Sequence, residues 1–204
     1  MRFNKSRLLW GGLVFIVLTF VFSFIVKSNR TSLTQAQNTL PLTQESLSQL
    51  EEDQPVIIYG TIAAGPTFYQ DIVMGVYERY YSGEDGGWEV EQDPEARLKI
   101  QLDKTPSENV ALDVFYDSVY PHGNYVTITP SSNNRYKGYR IGDSLTTVAV
   151  VSSLNPLSFD ATAHYGGTLA EYQRSLKDTI ATGQWIAAVG LGICTLIMFW
   201  PERN

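Results

Sequence analysis

Two stretches without a charged side chain, one near each end, constrain this chain of 204 residues more than anything else in it. Residues 8–26 read LLWGGLVFIVLTFVFSFIV, 19 residues of which 14 are Leu, Ile, Phe or Val. As a helix they measure about 28 Å, close to the hydrocarbon thickness of a bilayer. On an insertion scale they favour the membrane by roughly 4–8 kcal/mol. A cleaved signal peptide fits less well. The run exceeds the usual apolar length, and Lys27, Ser28, Asn29 and Arg30 follow it where small residues would mark a cleavage site. Residues 181–200 form a second expected span, weaker at roughly 2–4 kcal/mol because only seven of its residues are Leu, Ile, Phe or Val. Trp10, Trp185 and Trp200 are the expected interface anchors, since indole rings prefer the headgroup level. Ala188 and Gly192 make a small-xxx-small pair, with Gly190 between them, that would let the spans or two protomers meet. Pro201 opens the tail, residues 201–204.

Two spans place both termini on one side of the membrane. Arg2, Lys5 and Arg7 in the segment 1–7 bias that side toward the cytoplasm and the middle domain toward the opposite side. Between residues 31 and 180 there are 20 acidic and 9 basic side chains, a net of 9 − 20 = −11. A domain this acidic repels nucleic acid and anionic headgroups.

Residues 27–54 are polar and read as a linker. Leu42, Ser46, Leu47 and Leu50 recur at helical spacing and predict a short helix before Pro55. From 55 to 165 the period changes to two. Residues 56–62, 72–81, 86–91, 97–103, 109–115, 125–129 and 144–151 read as strands between Gly, Pro and Asn turns, which predicts a small β-barrel or sandwich. The fold class is therefore a two-span membrane protein with an intervening α+β, mainly β, domain.

Residues 131–143, SSNNRYKGYRIGD, carry three of the nine cations of the acidic domain. Arg135, Lys137 and Arg140, interleaved with Tyr136 and Tyr139, suggest a partner-binding edge. The alternative, a plain connection, is favoured, because turn chemistry already accounts for Gly138, Gly142 and Asp143. The single cysteine, Cys194, excludes an intrachain disulfide and a Cys-based zinc site. His122 and His164 have no partner at ligand spacing and read as surface or loop residues. Acidic clusters at Glu84-Asp85 and at Glu89, Glu91, Asp93 and Glu95 read as a solvated hairpin rather than a cation loop. No cofactor, metal or catalytic residue is expected.

Thr168 and Glu171 form a capping-box pattern at the start of a helix over residues 166–180. Leu169, Tyr172, Leu176 and Ile180 share one face, which would seat the helix against the β core, with Gly183-Gln184 breaking it before the second span.

Several segments resemble the membrane proteins of the mitochondrial ubiquitin ligase activator (GIDE) type and their RING-less bacterial relatives. They are Pro55-Val56-Ile57-Ile58-Tyr59-Gly60-Thr61-Ile62, Val76-Tyr77-Glu78-Arg79-Tyr80, Gly142-Asp143-Ser144-Leu145-Thr146-Thr147-Val148-Ala149 and Gly166-Gly167-Thr168-Leu169-Ala170-Glu171-Tyr172. The resemblance covers most of residues 8–200. It implies a "beside a membrane" domain between two spans, cytosolic termini and a bacterial source. Ligase chemistry is not implied, because only Pro201-Glu202-Arg203-Asn204 stand where the eukaryotic enzymes carry a zinc-binding RING.

The expectation is a membrane-anchored, non-catalytic interaction or scaffold protein, in envelope organisation or membrane protein quality control. Its partners would be the lipid bilayer, a membrane or envelope protein, and a second copy of itself. The alternatives are a membrane-bound hydrolase-like enzyme with an unrecognised site and a ligand- or ion-sensing subunit of a larger complex.

Overall fold

The computed structural model describes residues 5–39, 41–82, 86–92, 96–102, 109–114 and 121–199. They form two compact units: a helical one, made of the chain up to Gln35 and from Gln173 on, and a β unit, Ala36–Tyr172.

Two long helices make the helical unit. α1 runs Lys5–Asn38 and α3 runs Leu169–Phe199. Both contain a window long and apolar enough to cross a membrane. They pack antiparallel: a Cβ on Gly183 would lie 3.4 Å from Val26, and one on Gly190 would lie 3.6 Å from Leu18. Half-buried positions recur down α1 at Phe15, Leu18, Phe22 and Val26, all bulky. Toward the C-terminal half of α3 the covered small residues are Gly183, Ala187, Gly190 and Cys194, with Leu176, Ile180 and Leu191 half-buried as well. Large side chains thus enter notches at Gly183 and Gly190, which lets the two backbones approach closely. This also accounts for the weak apolarity of residues 181–200, since the packing stripe is built from residues with little surface.

Two boundaries differ from expectation. α1 continues to Asn38, so residues 27–38, read as linker, are helical. α3 passes through Gly183-Gln184 unbroken, because Gly183 is a packing notch and its backbone stays helical. The small pair that meets α1 is Gly183 and Gly190, seven residues apart. Gly192 faces open space and Ala188 is exposed.

In the β unit a one-turn helix, α2 (Gln44–Leu47), is capped by Thr43. Among the described residues nine strands follow: β1 (Pro55–Ala64), β2 (Ile72–Tyr81), β3 (Gly87–Gln92), β4 (Ala96–Leu102), β5 (Asn109–Val114), β6 (Val126–Ser131), β7 (Asn134–Arg140), β8 (Ser144–Leu154) and β9 (Leu157–Gly166). Five close into a barrel in the order β1-β4-β5-β9-β8. All its pairs are antiparallel except β5–β9, which runs parallel at Leu112↔Phe159 and Asp113↔Asp160. This is the connectivity of an OB-fold barrel. It is interrupted twice, by β2–β3 after the first barrel strand and by β6–β7 after the third. The four inserted strands form a second, open sheet in the order β3-β2-β7-β6.

Alternation along the barrel strands sends Val56, Ile58 and Ile62, Leu98, Ile100 and Leu102, and Leu145, Ala149 and Val151 into one core with Phe159. Met74, Val76 and Tyr139 of the second sheet belong to the same cluster, so one core serves both sheets. Leu42 is part of it, and Leu47 and Leu50 pack against it. Of the expected stripe on α3, Leu169 and Tyr172 belong to the β unit and Leu176 and Ile180 to the helical unit. The capping box is formed: the Thr168 amide donates to Glu171 Oε2 (2.7 Å), and the Glu171 amide donates to Thr168 Oγ1 (3.2 Å).

Gly183→Ile should drive a branched side chain into Val26 and lower the stability of the helix pair by about 1–3 kcal/mol. Gly192→Ala, in open space, should leave it unchanged. Thermal unfolding in detergent micelles separates the two; equal melting temperatures for the variants would contradict this packing.

Candidate functional site

The second sheet has two chemically different faces. Side chains alternate along a strand, so one parity of β2 and β7 points to the core and the other away. Facing the core are Met74, Val76 and Glu78 from β2 and Lys137 and Tyr139 from β7, all buried, with Arg135 half-buried beside them. Glu78, opposite Arg135 in the register, is only 3 % exposed. Its carboxylate accepts from Arg135 Nε and lies 3.1 Å from Lys137 Nζ. The Arg135 guanidinium also covers the Trp88 ring at 3.9 Å. A buried carboxylate is tolerated only when paired, and two cations pair this one.

These positions correct the expectations for residues 131–143. The stretch is a strand, β7, and an interior one, hydrogen-bonded to β2 on one side and β6 on the other, so it offers no edge. Its cations are engaged within the fold: Arg135 and Lys137 on Glu78, and Arg140 with Asp71 (Nε to Oδ2 2.7 Å) at the surface. Gly138 is no turn residue. A Cβ there would collide with the Met74 carbonyl, so glycine permits close approach of β2. Tyr139 is fully buried, and its hydroxyl donates to the His122 carbonyl (2.7 Å) and accepts from the His122 amide (2.8 Å). Burial pushes the Tyr139 phenol well above its ordinary 10.0 in spite of that backbone contact.

The outward parity carries rings. Tyr77 and Tyr136 are register partners with centroids 4.9 Å apart. A tight turn, in which the Phe68 and Tyr69 amides donate to the Ile72 carbonyl and Gln70 adopts φ 52°, folds two more rings over them. Tyr69 stacks on Tyr136 at 3.6 Å and 2° between planes, and Phe68 meets Tyr136 edge-on at 5.8 Å. All four remain half-exposed. The Tyr77 hydroxyl donates to Asn134 Oδ1 (3.0 Å), which fixes its ring. Burial, followed by the neighbouring Tyr77 and Tyr69, raises the Tyr136 phenol above its ordinary value. At the β3 end the face becomes charged, with Arg79 4.0 Å from Glu91 and 5.6 Å over the Tyr81 ring, opposite Glu89.

Elsewhere, a cleft of about 440 Å³ lies between the end of α1, α2 and the start of β1. Leu42 and Val56 are its buried apolar lining, and Asn38, Gln49 and Gln54 its exposed polar lining. None of the described lining residues ionises near neutral pH. His164, read as a surface residue, is buried on β9 with its ring edge-on to Tyr139 at 5.8 Å. His122 is exposed in the loop before β6. Glu89 and Glu91 lie on β3, while Glu84, Asp85, Asp93 and Glu95 fall outside the described residues. Trp185 is 73 % exposed on α3, and the Trp10 side chain and Trp200 fall outside the described residues. Among the described residues no group of three His, Cys, Asp or Glu side chains could hold a metal ion. The aromatic cluster was missed in the sequence because its rings come from residues 68–77 and 136, far apart along the chain.

The chain matches no protein-family model, and no curated protein matches it.

Glu78→Gln should destabilise the β unit by about 3–5 kcal/mol, since it leaves two cations beside a neutral amide. Arg140→Ala, at a solvent-exposed ion pair, should cost about 1 kcal/mol or less. Denaturant unfolding measures both, and equal losses would contradict the assignment of Glu78 as the buried partner. The raised Tyr139 phenol adds stability that is complete below its unfolded value of 10.0 and lost as pH rises toward the folded one. The melting temperature should therefore fall as pH passes about 10, and fall less steeply in Tyr139→Phe. Parallel profiles would contradict it.

Proposed function

We propose that this protein is a membrane-anchored interaction module, a scaffold rather than an enzyme. Its two apolar helices cross the bilayer with both termini in the cytoplasm, and its β unit meets a protein partner on the opposite side. The observation that carries the reading is the half-exposed ring cluster Phe68, Tyr69, Tyr77 and Tyr136 on the outward face of the second sheet. Aromatic side chains supply large contact area at low entropic cost, and clusters of them rimmed by polar groups mark interaction surfaces. The anchoring supports the same role, because two helices packed bulky against small hold the module to a membrane at both of its ends. Relationship to the GIDE-type "beside a membrane" proteins rests on the segments quoted above and extends the proposal to envelope organisation or membrane protein quality control.

In isolated membranes the protein should stay in the pellet through an alkaline carbonate wash. A cysteine placed at Ser132, in the β6–β7 turn, with Cys194 replaced, should react with a membrane-impermeant maleimide from outside intact cells. Release into the supernatant would contradict the anchoring, and labelling only after lysis would reverse the sidedness.

A further inference from the structure

Resting on the interaction-module reading, we propose that the Tyr69–Tyr136–Tyr77 face docks a segment of a protein partner through arginine or lysine side chains laid against the rings. Three observations converge on a cation. First, the face is built of electron-rich rings, Tyr69 and Tyr136 parallel at 3.6 Å and Tyr77 4.9 Å from Tyr136, and all three residues remain half-exposed. A guanidinium or ammonium over such a ring is attracted by its quadrupole, and more strongly once water leaves.

Second, the same sheet already uses this chemistry twice. Arg135 lies on Trp88 at 3.9 Å, and Arg79 lies over Tyr81 at 5.6 Å. Third, the charge is complementary. Residues 31–180 carry 20 acidic against 9 basic side chains. On the sheet itself Arg135, Lys137, Arg79 and Arg140 each have an acidic partner within the fold, and Glu89, opposite Arg79 on β3, is exposed. A cationic segment approaching this face meets an attractive field and rings shaped to receive its side chains; an anionic one meets repulsion.

The test uses the full-length protein in lipid nanodiscs. The probe is a synthetic peptide alternating arginine with glycine, and its control is the same peptide with citrulline, in which every guanidinium becomes a neutral urea. The arginine peptide should bind, and the citrulline peptide should bind at least about tenfold more weakly. Tyr69→Ala, in the turn before β2, and Tyr136→Ala should each weaken the arginine peptide about fivefold to tenfold. Tyr136→Phe should restore most of that affinity, and Glu89→Lys should lower it, with unchanged melting temperatures showing that the variants fold. Equal binding of both peptides, or no loss in Tyr69→Ala, would overturn the proposal. So would binding of a neutral glucan oligosaccharide, lost in Tyr69→Ala, in place of the peptide.

A photo-crosslinking residue in place of Tyr81, at the rim, separates this inference from the reading beneath it. Adducts in native membranes at cationic partner segments support both. Adducts at segments without cations overturn the inference and leave the module standing. A complete lack of protein adducts overturns both.

Discussion

A single buried carboxylate decides which way the second sheet faces. Glu78 sits on the core side of β2, and its two cationic partners, Arg135 and Lys137, must occupy the core parity of β7 to reach it. A strand's side chains alternate, so that choice sends Tyr77 and Tyr136 to the opposite face. A one-residue slip of β7 would leave Glu78 unpaired in the core, turn Arg135, Lys137 and Tyr139 outward and bury Tyr136 instead. The ion cluster and the ring cluster are thus two consequences of one register. The glycines that let β2 and β7 approach, Gly75 and Gly138, are paired in that same register.

The helical unit rests on a different economy. Leu18 and Val26 of α1 meet the notches that Gly190 and Gly183 leave in α3. The pairing leaves large side chains of α1, among them Ile16, Phe20 and Phe24, and of α3, among them Ile186, Val189 and Leu196, exposed, and the proposed membrane anchoring rests on that apolar surface. A soluble protein with this much exposed apolar surface would carry an aggregation hazard.

What could be read in the sequence follows from what each segment hides. β1, β2, β4 and β8 alternate apolar residues that all enter one core, and period-two reading finds them. The capping box at Thr168 and Glu171 is local, three residues apart, and equally legible. β7 was not, because its inward positions hold Arg135, Lys137 and Tyr139, and a count of apolar alternation sees a polar loop. The residue that makes those positions buriable, Glu78, lies 57 residues from Arg135 and 59 from Lys137. Gly138 misled for a related reason: glycine looks the same whether a chain turns there or another strand presses close. Residues 27–38 read as linker because polar side chains dominate them, although Asn29, Leu33 and Ala36 continue the covered stripe of α1. The ring cluster needs both the turn at Gln70 and the β2–β7 register, and neither is visible one segment at a time.

Residue-resolved acetylation of the folded protein by acetic anhydride, read by mass spectrometry, tests the orientation of the second sheet most directly. Lys137, held against Glu78, should resist modification, while the exposed Lys99 of β4 reacts freely. Should Lys137 react as fast as Lys99 in protein that is still folded, the sheet faces the other way and the ring surface described here does not exist.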